Sequence, residues 1–398
     1  MTRFFGHGTL VIVFMFAATL CFAQESKSPT EQLQRQAKQG EPIAQVELGL
    51  RYLEGEGVSQ DFSIAAEWLD LAATQGNAQA QNLLGRLYSD GLGVPQNTEQ
   101  ALAFFEQAAK SEHPQYLTDL ARILEQKEGT LERAALLYKT AADAGDPIAM
   151  VSFGVLLQSG RGIHKDFAAA FDYYQKAAAL GNGRALNNLG LMYARGEGVS
   201  QDHEHAAELF DHATKLGVTQ AFRNLGVLYE NGFGVPLDEQ KAVELYRLAG
   251  QGGAAPLPPA ERYTYDKRLA PITISPETLS EIQGAALAGD PIAQFQLAWV
   301  LVQPTSPRFE DVVQAAQLFE SAANAGYGPA MANIGMMYYR GEGVHQDYVL
   351  GHMWLSLANE SRVDLDPNLK AEFAQLASAA QINESQSLIR QRLSLKHP

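Results

Sequence analysis

The sequence predicts an all-α fold, an α/α superhelical solenoid built from copies of one helix-turn-helix unit. A frame of small and apolar residues returns with a step of about 36 residues along most of the chain. Inside each copy, apolar residues three and four positions apart indicate two helices. The composition agrees, since 46% apolar and 19% charged residues in a chain of 398 are typical of a folded protein. A fixed period of this length is typical of solenoids, in which each unit packs on its neighbours.

Residues 1–23 resemble a secretory signal peptide. Arg3 supplies a short positive region, residues 10–20 form an apolar run, and small residues precede a cleavage position before Gln24. The run is short for a membrane-spanning helix, so an uncleaved anchor is the less favoured alternative. Cys21 is the only cysteine, and cleavage would leave no thiol for a disulfide or a metal site. We therefore expect a periplasmic or secreted protein without a transmembrane segment after cleavage.

Residues 24–40 are predicted to form an N-terminal capping helix. Ser28-Pro29-Thr30-Glu31 has the pattern of a capping box, with proline at the first helical position. Residues 41–252 then hold repeats 1 to 6. The third repeat is degenerate, because residues 125–130 lack the Gly-x-Gly-Val loop of the others.

Repeat 5 illustrates the unit. Ala185, Leu189 and Tyr193 are four apart and lie on one face of the first helix, which we call helix A. The glycines at 196 and 198 close this helix, because glycine adopts the left-handed conformation of a C-cap. Asp202 is predicted to be the N-cap of the second helix, helix B. A small residue follows the leucine of helix A and sets the register: Gly49, Gly85, Ala121, Gly154, Gly190, Gly226, Ala298 and Gly335.

The step from Gly226 to Ala298 is 72 residues, which equals two units. Residues 253–289 are therefore predicted to be a degraded repeat. Its first half contains a proline-rich loop that resists a helix, and its second half keeps the helix B pattern. Residues 290–359 hold repeats 7 and 8, and residues 360–398 are predicted to form capping helices that cover the last repeat.

The Ala-x-x-x-Leu-Gly-x-x-Tyr, Gly-x-Gly-Val and Ala-Ala-x-x-Gly frame resembles the Sel1-like repeat family, which is related to tetratricopeptide repeats. The resemblance covers residues 33–359, and the closing Ala-Gln-Ile-Asn-Glu-Ser-Gln pattern is similar to exported bacterial members. It implies a superhelix that holds proteins or peptides. Known members include envelope regulators, host-interaction factors and adaptors of protein degradation. A cysteine-rich branch has been linked to β-lactam binding, but this chain lacks its paired cysteines.

Charge and motifs argue against several function classes. With 30 basic and 45 acidic residues, the net charge of −15 disfavours nucleic-acid binding. No phosphate-binding loop and no serine or metalloprotease motif occurs, so no cofactor and no enzymatic activity are expected. His205, Glu208 and His212 share one side of a helix and could bind Zn²⁺. A solvated polar face is the favoured explanation for them, and no metal is expected.

Two regions are candidates for binding a protein or peptide. By analogy with tetratricopeptide repeats, helix A lines the concave surface, where aromatic, methionine and arginine side chains would suit a protein interface. An alternative is that this stripe packs within the solenoid. The candidate residues are Asn187, Leu191, Arg223, Val227, Phe295, Trp299, Met336, Tyr339 and Arg340.

The second candidate is the proline-rich segment 254–274. It has a local excess of basic and aromatic residues, namely Arg262, Tyr263, Tyr265 and Arg268. A long loop outside the repeat pattern is often functional, although the decay of one repeat would also explain it.

Together these observations favour a non-enzymatic scaffold or adaptor in the bacterial cell envelope that binds a protein or peptide on its concave face. A secreted host-interaction factor is an alternative with the same physical basis. A hydrolase of a β-lactam or cell-wall ligand is a further alternative, which depends on family analogy alone.

Overall fold

The computed structural model describes residues 29–250, 263–272, 275–303, 307–361, 363, 365 and 376–396. Over these ranges the chain forms α-helices and one short 3-10 helix, and no strand. The helices are α1 (Pro29–Lys38), α2 (Pro42–Glu54), α3 (Phe62–Thr74), α4 (Ala78–Asp90), α5 (Thr98–Ala108), α6 (Pro114–Glu125), α7 (Leu131–Asp143), α8 (Pro147–Ser159), α9 (Phe167–Ala179), α10 (Gly183–Arg195), α11 (His203–Lys215), α12 (Thr219–Asn231), α13 (Glu239–Gly250), α14 (Pro276–Leu287), α15 (Pro291–Val302), α16 (Phe309–Asn324), α17 (Gly328–Arg340), α18 (Tyr348–Glu360) and α19 (Ala379–Lys396).

The helices pair as the repeat pattern requires, so the predicted all-α solenoid is confirmed. Repeats 1 to 6 are α2–α3, α4–α5, α6–α7, α8–α9, α10–α11 and α12–α13, and α1 packs on α2 as a cap. Repeats 7 and 8 are α15–α16 and α17–α18. Each helix packs on the next from α1 to α13, and again from α14 to α19.

Glycines and an aspartate determine the conformation of the loop between helices A and B. In repeat 5, Gly196 and Gly198 have φ values of 69° and 75°, in the left-handed region that favours glycine. The Gly196 N–H donates to the Met192 carbonyl and so caps α10. The Asp202 carboxylate then accepts the backbone N–H of His205 at 3.0 Å and caps α11.

Close approach of helices A and B explains the small residue where it is glycine. A Cβ atom at Gly190 would lie 2.6 Å from the ring of Phe210, which is fully buried in α11. A side chain there would push the helices apart. The glycine thus acts in the packing of the repeat, while the glycines after α10 act in its capping.

The degraded unit keeps one helix among its described residues. Helix α14 begins at Pro276 after an N-cap at Ser275, whose hydroxyl accepts the Thr278 N–H at 3.2 Å. Residues 263–272 form no helix. The three prolines at 256, 258 and 259 lie outside the described residues.

Helix α19 packs on the last repeat. His352 Nδ1 of α18 lies 2.8 Å from the Ser385 hydroxyl of α19, and the Arg392 guanidinium lies 4.4 Å from the Trp354 ring centre. Arg392 also donates to the Asn324 side chain at 3.1 Å. Residues 366–375 of the predicted C-terminal cap, which spans 360–398, lie outside the described residues.

Helix α19 also contacts the first two repeats, which the sequence did not predict. The Asn383 side chain accepts the Gly93 N–H at 2.8 Å and donates to the Gly91 carbonyl at 2.7 Å. Gln386 Oε1 accepts the Phe62 N–H, the first backbone donor of α3, at 3.0 Å. Arg390 Nη1 lies 2.5 Å from Asp61 Oδ2. The C-terminal helix therefore joins the last repeat to the beginning of the solenoid.

Candidate functional site

Within repeats 1 to 6, and again within repeats 7 and 8, the A helices lie side by side, and we call the surface that they form the A face. Polar contacts join successive A helices: Asn82 of α4 donates to Asp119 of α6 at 3.0 Å, and Asn224 of α12 donates to Asn187 of α10 at 2.8 Å. Asn187 is 7% exposed, so the expectation that it faces solvent is wrong. Its amide joins two repeats instead.

An apolar row crosses the middle of the A face. Val155, Leu191 and Val227 take the position just after the small residue in α8, α10 and α12. Val227 is 44% exposed, and the other two side chains are half-buried. We call these three residues the central row. A partly exposed aliphatic row on a folded surface is available to a partner.

Basic side chains border the central row. Arg223 and Arg195 are exposed on α12 and α10. Over the part of the chain that the structure describes, the Arg223 side chain has no ion pair or hydrogen bond, while Arg195 lies 4.0 Å from Glu197. Arg223 is therefore a cationic side chain that could attract an acidic group of a partner.

A buried carboxylate organises the A face of repeats 2 and 3. Asp119, whose side chain is nearly buried, accepts Arg86 at 2.7 Å and Arg122 at 3.3 Å in addition to Asn82. The two arginines take the same position as the central row, one and two repeats before Val155. Neither arginine is among the predicted binding residues. The repeat register aligns both with Leu191 and Val227, which are predicted, and this alignment was a signal that could have found them.

The A face of repeats 7 and 8 differs from the expectation. Phe295, Met336 and Tyr339 are 0%, 1% and 2% exposed, so the prediction that they line an open groove is wrong. They belong to one core cluster, because the helical spacing that would present a groove residue also presents a core residue. Trp299 and Arg340 are half-buried at the edge of this cluster.

The proline-rich segment supplies part of the cover. Its described part, residues 263–272, lies on repeats 7 and 8, and we call it the groove segment. The Thr264 N–H donates to Asn333 Oδ1 at 2.8 Å, and Asn333 Nδ2 donates back to the Thr264 carbonyl at 3.0 Å. The Tyr265 ring lies 5.0 Å from Trp299 and 5.8 Å from Phe295. The two candidate binding regions are therefore in contact.

Asp266 also holds the groove segment on repeats 7 and 8. Asp266 is buried, accepts the Tyr327 hydroxyl, and pairs with Arg268 at 2.8 Å. The hydrogen bond from Arg268 is the main reason that the Asp266 pKa lies well below its usual range, and Tyr327 lowers it further. Burial and the nearby carboxylate raise the pKa of Tyr327. The Arg268 side chain is otherwise exposed, and Arg262 lies outside the described residues.

The histidine cluster on α11 has a simple arrangement. His205 Nδ1 lies 3.2 Å from Glu208 Oε2, and its ring contacts the ring of Tyr193 edge to face at 4.5 Å. No group of three potential metal ligands occurs within the described ranges. Likewise, none of the described helices is long and apolar enough to cross a bilayer.

Comparison with known proteins gives a family and a fold. The family model for the Sel1 repeat matches more than half of the chain, at residues 42–77, 78–113, 131–146, 147–182, 183–218, 220–253, 291–327 and 328–361. A solved Sel1 repeat protein from Oxalobacter formigenes is 28% identical and covers 57% of this chain and 93% of its own, with a TM-score of 0.53. A protective antigen present in uropathogenic Escherichia coli strains, with an SLR fold, is 23% identical over 92% of this chain and 94% of its own, with a TM-score of 0.50. No curated protein matches the sequence.

Proposed function

Because the chain belongs to the Sel1 repeat family, we propose that it is a non-enzymatic interaction scaffold that binds a protein or peptide partner on its A face. Repeat solenoids of this family are typical of protein–protein interaction scaffolds. Each repeat adds one more helix A to a continuous surface, so a partner can contact several repeats at once.

The central row carries this proposal. Val155, Leu191 and Val227 offer aliphatic side chains in three consecutive repeats, with Arg223 and Arg195 beside them. An apolar strip with arginine at its border has the composition of an interface centre and its polar rim. The partner surface that fits is apolar in the middle and acidic at the edge.

We further propose that the protein acts after export, because residues 1–23 have the pattern of a signal peptide. The test is fractionation of producing cells. Release by osmotic shock would support a resident scaffold of the cell envelope, whereas accumulation in the culture medium would support a secreted host-interaction factor. Full retention in the cytoplasm would refute export.

Site-specific photo-crosslinking tests the binding face. A photoreactive residue at position 227 should capture a partner in the cells that produce the protein. The same residue at Leu136, an exposed aliphatic position on helix B of repeat 3, should not. Arg223→Glu should abolish the position 227 product, because it reverses the charge beside the row. Equal products from both positions, or none from position 227, would contradict the proposal.

A further inference from the structure

We propose that the groove between α15 and α17 is a second peptide-binding site, and that the chain's own groove segment occupies it as an internal ligand. The occupant that it fits is an extended peptide with the order aromatic, any residue, aromatic, aspartate, as in Tyr263 to Asp266. An outside partner with this order would bind by displacing the segment. This goes beyond the proposed function, which concerns the central row of repeats 4 to 6.

The backbone of the occupant is recognised by one side chain. Asn333 is fully buried, and its amide both accepts the Thr264 N–H and donates to the Thr264 carbonyl. A side-chain amide that pairs with both the N–H and the C=O of one residue favours an extended chain. It makes no contact that depends on the side chain of that residue. A buried amide needs such partners, so the groove favours an occupied state.

The contrast with repeats 5 and 6 explains why the groove is at α17. There, Asn224 takes the same place as Asn333 and donates to Asn187 of the preceding helix A. At repeats 7 and 8, the residue that corresponds to Asn187 is Phe295, which has no polar group to offer. Asn333 must therefore find its partner outside the A helices, and the backbone of the groove segment provides it.

Two aromatic side chains fill the groove on either side of Thr264. Tyr265 lies against Trp299 and Phe295, and the Tyr263 hydroxyl donates to Glu342 at 2.5 Å. Aromatic groups that pack on other rings and keep one polar end satisfied give large contact areas for little loss of side-chain freedom. This is the chemistry of an anchor residue in a bound peptide.

The position after the second aromatic residue selects an acid. The Asp266 carboxylate is buried and accepts a hydrogen bond from the Tyr327 hydroxyl. The Tyr327 ring packs on the Phe295 ring, with 5.2 Å between the ring centres. A partner aspartate could take the same hydroxyl. A hydrogen bond from a neutral donor to a buried carboxylate discriminates against apolar residues at this place.

The groove segment leaves space that a partner could use. A cavity of about 180 Å³ lies beside it, bordered by Thr264, Asp266, Pro329 and Val363. A partner peptide with a larger side chain in place of Thr264 would fill part of this volume. A partner peptide needs such extra contacts, because the groove segment is part of the same chain and competes for the groove at an effective concentration on the order of millimolar.

Binding of the groove segment as a separate peptide tests the proposal. A fluorescent peptide of residues 263–272 is titrated into the full chain and into a Thr264→Pro/Tyr265→Ala variant, with anisotropy as the readout. Proline removes the N–H that Asn333 accepts, and alanine removes the ring contact. We expect the peptide to bind the variant at least about tenfold more tightly than the wild type, since the competitor is weakened. Adding Asn333→Ala to the variant should abolish binding.

A second measurement uses the unaltered protein and needs no variant to fold. Unlabelled peptide at about millimolar concentration should speed hydrogen exchange at the Thr264 amide of the chain, because the segment is displaced. A peptide with alanine in place of Asp266 should have a smaller effect. No binding to the folded variant, with unchanged exchange in the wild type, would overturn the proposal and leave the segment as a fixed part of the core. Crosslinking at position 227 is independent of either result.

Discussion

Replacing Asn383 and Arg390 with alanine should release α19 from repeats 1 and 2. Among the residues that the structure describes, these two side chains make three of the four polar contacts that join the C-terminal helix to the beginning of the solenoid, with Gly91, Gly93 and Asp61 as partners. The contacts of α19 with α18 are unaffected by the change. We therefore expect a local opening and not global unfolding.

The magnitude follows from the burial of each contact. The Asp61 side chain is 5% exposed but the Arg390 side chain is 44% exposed, so solvent screens this ion pair and its loss costs about 1–2 kcal/mol. The Asp61 carboxylate keeps hydrogen bonds after the change, because its other oxygen accepts the backbone N–H groups of Ser63 and Ile64 and so caps α3. The two hydrogen bonds of Asn383 contribute about 1 kcal/mol each. The sum of about 3 kcal/mol corresponds to roughly 100-fold in the opening equilibrium.

Hydrogen exchange measures this opening directly. Exchange at the Phe62 amide, which donates to the unaltered Gln386 of α19, should accelerate by roughly 100-fold in the double variant, provided that opening limits exchange. Gln391→Ala, an exposed change on the same helix, is the matched control and should leave the rate unchanged. If the Phe62 amide exchanges equally in the wild type and the double variant, the contacts of Asn383 and Arg390 do not hold α19 in place.

Three further predictions concern stability. Burial lowers the pKa of His352 to about 4, while an unfolded histidine titrates near 6.5. Because the unfolded chain binds the proton first, the free energy of unfolding should fall by up to about 3 kcal/mol as the pH drops from 6.5 to 4. In His352→Gln, the midpoint of urea unfolding should therefore change less between pH 6.5 and pH 4 than in the wild type. Gly154→Ala places a Cβ 2.5 Å from Tyr174 and should cost about 1–3 kcal/mol, whereas Gly284→Ala, with no atom within 4 Å, should add about 0.5–1 kcal/mol. Thermal melts that shift in the same direction for both would refute the close-approach explanation. Asp119→Ala should cost about 2–3 kcal/mol in chemical denaturation, since it leaves a partly buried arginine and an asparagine without their acceptor, and an unchanged midpoint would show that the network adds nothing.

The helix pairs could be predicted because their causes are local. The left-handed glycines after α10, the N-cap at Asp202 and the stripe around Leu189 all lie within one unit of about 36 residues. The same unit recurs, so each copy supports the others. The close contact of Gly190 with Phe210 is also internal to a repeat.

The binding residues were harder to predict because helical spacing does not distinguish a groove from a core. Val227 and Met336 take the same position in their repeats, yet one is 44% exposed and the other is 1% exposed. The difference arises from the surroundings of repeats 7 and 8, where Tyr263, Tyr265 and Leu269 of the groove segment pack against the core cluster that contains Met336. That cover comes from a part of the chain outside the repeat frame, about 70 residues before Asn333.

The sequence by itself determined the repeat register, the order of the helices, their caps and the positions where only a small residue fits. Only the tertiary structure decided which A-face positions stay open, where the proline-rich segment lies and what α19 contacts. The physical reason is distance along the chain. Capping and helix pairing act within one repeat, whereas the contact of Arg390 with Asp61 joins residues 329 positions apart, and no periodicity encodes such a pairing.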